Sequence, residues 1–329
     1  MRRRAVLHPR LVEVARSYGY ASFNDVQLRA FEALSRGVHL VIAAPTGYGK
    51  TEAALFPIMS SILEEGLEGW GIRALYVTPL RALNRDILVR MRELAAELGI
   101  RLEVRHGDTP QSARRRMALS PPHVLITTPE TLQFLLVGSR LREALRSVKW
   151  VVVDELHELM QSKRGLQLTI ALERLEEIAE GRVQRIGLSA TISEPFLAGM
   201  FLTGGRRFEV VEAREGRRYE VDVIYLDSRG EAGDRVAKLA ELILEHRSTL
   251  VFTNTRDTAE ALGSRLRRLC GDVIAVHHGS LSREERLRVE RGLKEGRLKA
   301  VVATSSLELG IDIGHVDYVV QYMSPRQVN

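Results

Sequence analysis

Short apolar runs alternate with longer helical patterns along most of this chain, and that alternation constrains its fold more than any other feature. The helical patterns repeat apolar residues at three- and four-residue steps, as in residues 51–64, 81–98 and 166–180. The strand-like runs of the first part are residues 39–43, 74–78, 102–105, 123–127, 148–153 and 185–188. Strands that alternate with helices of this length predict an α/β fold, a parallel sheet with helices on both faces.

The alternation breaks around residues 202–223, where Gly204, Gly205 and Gly216 flank a charge-rich stretch. Such a stretch indicates a domain boundary or an edge hairpin. Alternation then restarts, with strand-like runs at residues 221–226, 249–253, 273–277, 299–303 and 316–322 and helical patterns at 234–246, 257–269 and 282–295. A chain of 329 residues allows about two domains. We therefore predict one domain over residues 1–206 and a second, shorter one over residues 207–329.

Composition excludes several classes of protein. The single cysteine, Cys270, rules out an internal disulfide and a cysteine metal cluster. The sequence contains no run of 18 apolar residues, the length that a membrane-spanning helix needs. We therefore predict a cytoplasmic protein without a membrane partner. The net charge is +6, and of 48 Lys and Arg residues six are Lys, which leaves 42 Arg. The guanidinium group of arginine matches phosphate geometry, but the arginine content of proteins also increases with heat adaptation. The charge alone therefore leaves nucleic-acid binding undecided.

The sequence IAAPTGYGKT, residues 42–51, follows a predicted strand and opens a predicted helix. That is the context of a phosphate-binding loop, in which glycines let successive backbone N–H groups face the phosphates. Lys50 would bring a charge to the β- and γ-phosphates and Thr51 a hydroxyl to Mg²⁺, at a helix N-terminus that favours anions. The candidate ATP-binding residues are Ala44, Pro45, Thr46, Gly47, Tyr48, Gly49, Lys50 and Thr51.

The sequence VVVDELHE, residues 151–158, places acidic residues directly after a buried strand. Parallel sheets bind ligands at the carboxyl ends of their strands. In an enzyme with a phosphate-binding loop, Asp154 would hold Mg²⁺, together with Thr51, and Glu155 would polarise the attacking water. His157 belongs to the same candidate catalytic group and cannot be a zinc ligand, because no second His or Cys stands at metal spacing. A lone acidic pair of this kind could also be a helix cap.

The sequence LSAT, residues 188–191, follows the next predicted strand. Ser189 and Thr191 taken alone would indicate a helix N-cap. After a phosphate-binding loop and an Asp-Glu-x-His box, they become candidates for coupling nucleotide to nucleic acid.

The ordered set of motifs resembles the core of a superfamily 2 DExH-box helicase. The set comprises Gln27, the loop 44–51, TPLRAL at 78–83, TPETL at 128–132, DELH at 154–157, residues 189–191, VFTNTR at 251–256, HHGSLS at 277–282 and ATSSLELGID at 303–312. YVTPLRALNRDI, DELHE and SPRQV are most similar to the large helicase-related (Lhr) family, with Ski2-like helicases a close alternative. The resemblance implies two tandem RecA-like P-loop NTPase domains, the second truncated. It also implies 3′ to 5′ movement along DNA or RNA.

The resemblance also assigns roles to individual residues. Gln27, with Tyr20 seven residues before it, matches the motif that reads adenine, although SFNDVQ departs from the commoner Pro-Thr-x-x-Gln and Gln27 could be an ordinary exposed helix residue. Gly310 and Asp312 match the motif that links the γ-phosphate to the nucleic acid. The strand-holding candidates are Thr78, Pro79, Arg81, Thr128 and Pro129 in the first domain and Thr253, Asn254, Arg256, His278, Gly279 and Thr304 in the second.

In the family, a Gln-x-x-Gly-Arg-x-Gly-Arg motif follows the SPR segment, and its arginines reach the γ-phosphate. The printed sequence stops at Asn329, before that motif. An arginine finger is worth about 10³–10⁵ in rate. We therefore expect these residues to bind ATP and Mg²⁺, to bind single-stranded or tailed duplex DNA or RNA weakly, and to hydrolyse ATP slowly. The alternative is a nucleotide-gated nucleic-acid-binding subunit whose arginines come from a partner chain.

Overall fold

The computed structural model describes residues 7–45, 47–78, 86–190, 194–213, 220–224, 232–304 and 316–323. The chain divides into two compact units, Met1–Arg218 and Tyr219–Asn329. Each unit contains its own parallel β-sheet with helices packed against it. The α/β class predicted from the alternation of strands and helices is confirmed, and so are the two RecA-like domains that the resemblance implied.

The first unit contains a seven-stranded sheet of order β3-β4-β2-β5-β6-β1-β7, in which all pairs are parallel. Its strands are β1 His39–Ala43, β2 Ala74–Val77, β3 Leu102–Arg105, β4 Val124–Thr127, β5 Trp150–Val153, β6 Gln184–Ser189 and β7 Phe208–Glu212. Its helices are α1 Pro9–Ser17, α2 Asp25–Ser35, α3 Lys50–Glu65, α4 Asp86–Glu97, α5 Gln111–Leu119, α6 Pro129–Val137, α7 Ser139–Ala144, α8 Leu156–Met160, α9 Lys163–Ile178 and α10 Pro195–Thr203. Because every strand is parallel, all their carboxyl ends lie at one edge.

The first sheet is buried on both faces. Leu40 and Ile42 of β1 pack into one core cluster with residues of α2 and α3, whereas Val41 packs into a second cluster with residues of α9 and α10. Neighbouring strand residues point to opposite faces, so a strand covered on both sides reads as a continuous apolar run. This is why the strands of the first unit were recognisable in the sequence.

The second unit contains a four-stranded parallel sheet of order β11-β8-β10-β9. Its elements are α11 Ala232–Glu245, β8 Thr249–Phe252, α12 Arg256–Cys270, β9 Ile274–His277, α13 Arg283–Lys294, β10 Ala300–Ala303 and β11 Tyr318–Gln321. Val251 and Val302 are fully buried against α11 and α12 on one face. A smaller core cluster, which includes Leu250 of β8 and Val289 of α13, covers the opposite face of the sheet.

Two predictions about the connecting region were wrong. Residues 207–213 do not open the second domain, because β7 pairs in parallel with β1 as the outer strand of the first sheet. The division between the units therefore falls after Arg218 rather than after residue 206. Among the described residues, β7 has one strand partner, β1, and pairs with it in parallel rather than in an antiparallel hairpin. Of the predicted strand 221–226, residues 221–224 are described and lie outside any strand, with Val221 and Val223 exposed.

Each helix within the described ranges is too short or too polar to cross a lipid bilayer.

Candidate functional site

The glycine-rich loop after β1 forms a tight turn that ends at the first residue of α3. Gly47 and Gly49 have φ angles of 78° and 79°, a left-handed conformation that favours glycine. Gly49 is the N-cap residue of α3 and has no side chain to bond the first N–H groups of that helix. Lys50 Nζ donates to the carbonyl oxygens of Ala44 and Pro45 at 2.6 and 3.2 Å. The loop thus places an ammonium group at a helix N-terminus.

The N-terminus of α2 holds the far side of this loop. Asn24 and Gln27 form a capping box, in which each side chain accepts from the other's backbone N–H. Asn24 Nδ2 also donates to Tyr48 O at 2.9 Å, and Gln27 Nε2 donates to Gly49 O at 3.3 Å. Gln27 is buried, so it is not the ordinary exposed helix residue that was its alternative interpretation.

Tyr20 lies beside the same loop. Its hydroxyl donates to Glu52 Oε1 at 3.1 Å, and its ring packs edge-on against Phe56 of α3. The Arg90 guanidinium lies 5.3 Å from the ring centroid, within the range of a cation–π contact. Burial and the nearby Glu52 carboxylate raise the pKa of the Tyr20 phenol. Tyr20 therefore contacts the first turns of α3, and Gln27 contacts Gly49, the residue just before that helix.

Asp154 and Glu155 lie at the carboxyl end of β5, near the centre of the sheet edge. Asp154 is buried, and its Oδ1 accepts from the backbone N–H of Glu155 at 2.9 Å. Glu155 has φ 49° and ψ 47°, and among the described residues it is the one non-glycine residue with positive φ. Left-handed backbone in a residue other than glycine costs about 1–2 kcal/mol and concentrates at functional sites.

His157, on α8, connects this box to the next strand. Its Nδ1 lies 3.1 Å from Ser189 Oγ and 3.9 Å from Glu155 Oε2. Burial lowers the pKa of His157, the Lys50 ammonium lowers it further, and the Asp154 carboxylate opposes the shift. The neutral imidazole is therefore favoured, and a hydrogen bond joins its Nδ1 to the Ser189 hydroxyl.

The end of β6 also contacts the phosphate-binding loop. Ser189 pairs in register with Ala43 of β1, and Ser189 O accepts from the backbone N–H of Ala44 at 3.2 Å. Hydrogen bonds thus run from the loop through Ser189 to His157. The structure brings Lys50, Asp154, His157 and Ser189 to one site, as the motif order predicted.

The residues at this edge fit a magnesium–nucleoside triphosphate. The uncapped N-terminus of α3 and the Lys50 ammonium supply anion donors, while Thr51 and Asp154 supply a hydroxyl and a carboxylate. Mg²⁺ typically takes one or two protein oxygens and completes its shell with phosphates and water. Accordingly, the described residues contain no cluster of three or more His, Cys, Asp or Glu that would hold a metal by itself.

The described strand-holding candidates of the first unit, Thr78, Thr128 and Pro129, lie in the other half of the same sheet edge. Thr78 follows β2, is 1% exposed, and donates its backbone N–H to Thr127 O at 3.0 Å. Thr128 caps α6: its Oγ1 accepts from Thr131 N at 3.3 Å, and Pro129 is the first helical residue. The Thr128 hydroxyl is therefore used within the protein to cap this helix.

In the second unit, the corresponding candidates follow three neighbouring strands. Thr253 N donates to Ala303 O at 2.8 Å, and its hydroxyl donates to Thr255 O at 3.2 Å. His278 Nδ1 accepts from Ser280 N, so its Nε2 carries the proton and donates to Glu260 Oε1 at 2.8 Å. The candidates placed at this edge are Thr253, Asn254, Arg256, His278, Gly279 and Thr304.

Within that group, Arg256 is the exposed first residue of α12. A Cβ built on Gly279 would lie 4.0 Å from Arg256 Nη2, so the loop after β9 and the start of α12 are neighbours. Thr304 N donates to His277 O at 3.3 Å and joins the end of β10 to the same loop.

Six candidates lie outside the described residues: Thr46, Pro79, Arg81, Thr191, Gly310 and Asp312. Conversely, Asn24, Glu52 and Glu260 contact candidate residues and were not singled out from the sequence. The Asn-x-x-Gln spacing of Asn24 and Gln27 is a capping-box pattern that could have revealed the first of them. Glu52 and Glu260 carried no comparable pattern.

Two family models match the chain. The DEAD/DEAH box helicase model matches residues 24–198, and the helicase conserved C-terminal domain model matches residues 234–329. The ATP-dependent helicase Lhr-Core of Methanothermobacter thermautotrophicus is 40% identical over 356 residues, covering 99% of this chain and 41% of that protein. The Lhr-Core helicase of Sulfolobus acidocaldarius is 40% identical over 94% of this chain and 38% of its own length. The chain thus spans about two fifths of the length of these relatives.

Solved structures agree with these matches. The helicase Lhr of Mycobacterium smegmatis, bound to single-stranded DNA and AMP-PNP, superposes with a TM-score of 0.77 at 38% identity. That match covers 96% of this chain and 44% of the other. The helicase MrfA, bound to DNA and AMPPNP, superposes with a TM-score of 0.81 at 26% identity, over 97% of this chain and 47% of the other.

Proposed function

The chain belongs to the DEAD/DEAH box helicase family, and we propose that it is the ATP-driven core of an Lhr-like helicase. In this function, cycles of ATP binding and hydrolysis move the protein along one strand of a nucleic acid. The proposed direction is 3′ to 5′, which follows from the likeness of its motifs to the Lhr family.

One observation carries this proposal: the phosphate-binding loop, Asp154, His157 and Ser189 lie at one edge of the first sheet, where hydrogen bonds join Ala44 to Ser189 and Ser189 to His157. We assign the triphosphate to the N-terminus of α3 and the Lys50 ammonium. Thr51 and Asp154 would hold Mg²⁺, which would supply positive charge against the phosphates, and Glu155 would polarise the attacking water. The hydrogen bond between His157 and Ser189 would connect the Asp-Glu-Leu-His box to the end of β6 beside the loop.

The base of the nucleotide is assigned to the α2 side of the loop. Gln27 presents a carboxamide, a group that can both donate to and accept from the edge of adenine. Its buried position and its contact with Gly49 fix that carboxamide next to the loop. Tyr20, held by Glu52, offers an aromatic ring on which a base could stack.

The proposed nucleic-acid partner is a single strand, DNA or RNA, or the tail of a duplex. The Lhr of Mycobacterium smegmatis is bound to single-stranded DNA in its solved structure. The strand-holding candidates offer hydroxyls, helix N-termini and Arg256, groups that contact phosphate and sugar without reading bases. A motor that moves along any sequence needs contacts of this kind.

Nucleotide-dependent strand binding tests the proposal. The affinity for a fluorescently labelled single-stranded oligonucleotide would be measured by anisotropy, with and without AMP-PNP and Mg²⁺. We expect the nucleotide to change the dissociation constant by about 5- to 150-fold, the usual range of coupling between two sites. Lys50→Ala should remove the nucleotide effect and leave binding without nucleotide intact. A strand affinity that is identical with and without nucleotide in the wild type contradicts the proposal.

A further inference from the structure

Two consecutive histidines at the end of β9 each pair with a glutamate of a different helix. His277 Nε2 lies 3.1 Å from Glu290 Oε1 on α13, and His278 Nε2 lies 2.8 Å from Glu260 Oε1 on α12. These two helices cover opposite faces of the second sheet. The start of the loop after β9 is therefore joined to both faces. The sequence motifs assigned a function to His278 but to neither glutamate.

The imidazole of His278 is fully used within the protein. Its Nδ1 accepts from the backbone N–H of Ser280 at 3.3 Å, and its Nε2 donates to the Glu260 carboxylate. A neutral imidazole has one donor and one acceptor, so both are taken. The carbonyl oxygen of His278 also accepts from the backbone N–H of Leu281 at 3.1 Å. His278 therefore holds the turn of residues 278–281 through its ring and its backbone.

The two histidine–glutamate pairs differ in their exposure to water. The His277 side chain is 1% exposed, and its pair with Glu290 lies inside the fold. Removal of Glu290 would leave a buried polar ring without this partner, which costs stability. The Glu260 side chain is 52% exposed, so water can replace its carboxylate. The Glu260 pair therefore fixes the position of a loop and contributes little to the stability of the unit.

That loop lies beside a strand-holding candidate of α12. Gly279 and Ser280 are exposed, and a Cβ built on Gly279 would lie 4.0 Å from Arg256 Nη2. Arg256 precedes Glu260 by four residues, so both belong to one face of the helix. A carboxylate repels the phosphates of a nearby nucleic-acid strand. Glu260 can therefore favour strand binding only through the loop that it holds.

We propose that Glu260 is a positioning residue, which acts through His278 to hold the loop 278–281 in the conformation that contacts the nucleic-acid strand beside Arg256. The inference rests on the proposed strand-binding function and adds a residue that does not itself touch the strand. Without the carboxylate, the Nε2–H group of His278 loses its acceptor, and the loop adopts other conformations as well. The apparent affinity then falls by the fraction of molecules that keep the binding conformation.

Three substitutions on α12 separate the hydrogen bond from the charge. Glu260→Ala removes both, whereas Glu260→Gln removes the charge and keeps a carbonyl oxygen that can accept from His278 Nε2. Asp257→Asn removes the same charge from an exposed position in the first turn of the helix. Anisotropy with labelled single-stranded DNA, and with RNA of the same sequence, gives the strand affinity of each variant. Urea unfolding reports on folding, and AMP-PNP titration reports on the nucleotide site.

We expect Glu260→Ala to weaken strand binding about tenfold, which corresponds to about 1.4 kcal/mol, the net contribution of one hydrogen bond. Glu260→Gln should restore the affinity to within about twofold of wild type, because the acceptor is kept. Asp257→Asn should bind no more weakly than wild type, because loss of a negative charge reduces repulsion of the phosphates. Unfolding midpoints and AMP-PNP affinities should stay unchanged in all three variants.

The sign of the Glu260→Ala effect decides between positioning and simple repulsion. A Glu260→Ala protein that binds the strand as tightly as wild type, or more tightly, overturns the inference. So does a Glu260→Gln protein that binds as weakly as Glu260→Ala, or a loss of affinity that is matched by a lower unfolding midpoint. Combined with His278→Ala, Glu260→Ala should cause no additional loss, and additive losses also overturn the inference. A wild-type protein that binds neither DNA nor RNA overturns the proposed strand binding itself.

Discussion

Ser189 Oγ, at the end of β6, is hydrogen-bonded to His157 Nδ1 on α8 at 3.1 Å. The same serine accepts the backbone N–H of Ala44 through its carbonyl oxygen. One residue therefore contacts both the phosphate-binding loop and the Asp-Glu-Leu-His box, which are far apart in sequence. A shift of the loop on nucleotide binding would reach His157 through this serine.

Ser189→Ala removes the hydroxyl that is hydrogen-bonded to His157, while the backbone contact to Ala44 remains. Because that backbone contact is kept, we expect AMP-PNP affinity within about twofold of wild type. One hydrogen bond contributes about 1 kcal/mol, so the coupling of nucleotide to strand affinity should fall about fivefold. The measurement is the ratio of strand dissociation constants with and without AMP-PNP. A double variant with His157→Ala should lose no more coupling than either single variant, and additive losses would show that the two residues act separately.

Asn24→Thr separates two contacts of one side chain. Threonine keeps an oxygen that can cap α2 at Gln27 N but has no amide to donate to Tyr48 O. We expect AMP-PNP affinity to fall about fivefold, the value of one hydrogen bond, with unfolding free energy within about 0.5 kcal/mol of wild type. Asn24→Ala also loses the cap and should be less stable by about 1 kcal/mol. Calorimetric titration measures the AMP-PNP affinity, and urea unfolding measures the free energy of unfolding. If Asn24→Thr binds AMP-PNP as tightly as wild type, the contact of Asn24 with Tyr48 O has no function in nucleotide binding.

Glu155 has a left-handed backbone that glycine adopts without strain. Glu155→Gly and Glu155→Ala both delete the carboxylate, so they differ only in how well they tolerate this conformation. We expect the glycine variant to be more stable than the alanine variant by about 1 kcal/mol. Urea unfolding of the two variants measures the difference. A more stable alanine variant would mean that the backbone relaxes at this position.

The burial of His39 and its lowered pKa predict that the free energy of unfolding falls in acid. Its side chain is fully buried, its Nδ1 accepts from Arg185 N, and burial lowers its pKa to about 4. Between pH 6.5 and 4 the unfolded chain therefore binds a proton that the folded chain does not. The stability from this group is complete above pH 6.5 and is lost as the pH falls towards 4.

His39→Asn keeps an acceptor for Arg185 N without the titrating group. Between pH 7 and pH 4.5, we expect wild type to lose about 2–3 kcal/mol more unfolding free energy than this variant. Urea unfolding at the two pH values provides the comparison. An equal loss in both proteins would place the acid sensitivity elsewhere.

Periodicity predicted the elements well where both sides of a strand or one side of a helix are buried. The run 39–43 is β1, and the pattern 51–64 lies within α3, because continuous burial leaves a continuous apolar sequence. This pattern did not predict β7. As an outer strand it is half-exposed and carries Glu209 and Glu212, so its sequence resembles a connecting segment.

Motif order predicted which residues meet at the nucleotide edge, but not the hydrogen bonds between them. The contact of His157 with Ser189 depends on β5 lying next to β6, which spacing along the chain does not reveal.

Titration of the protein with AMP-PNP in the presence of Mg²⁺ tests the proposed nucleotide site most directly. Wild type should bind one nucleotide, and Lys50→Ala should bind at least tenfold more weakly, because a hydrogen bond from a charged group contributes about 1.5–3 kcal/mol. Lys238→Ala, which removes an exposed lysine paired with Glu241, is the matched control and should bind like wild type. Equal affinity in all three proteins would show that the glycine-rich loop before α3 does not hold the triphosphate.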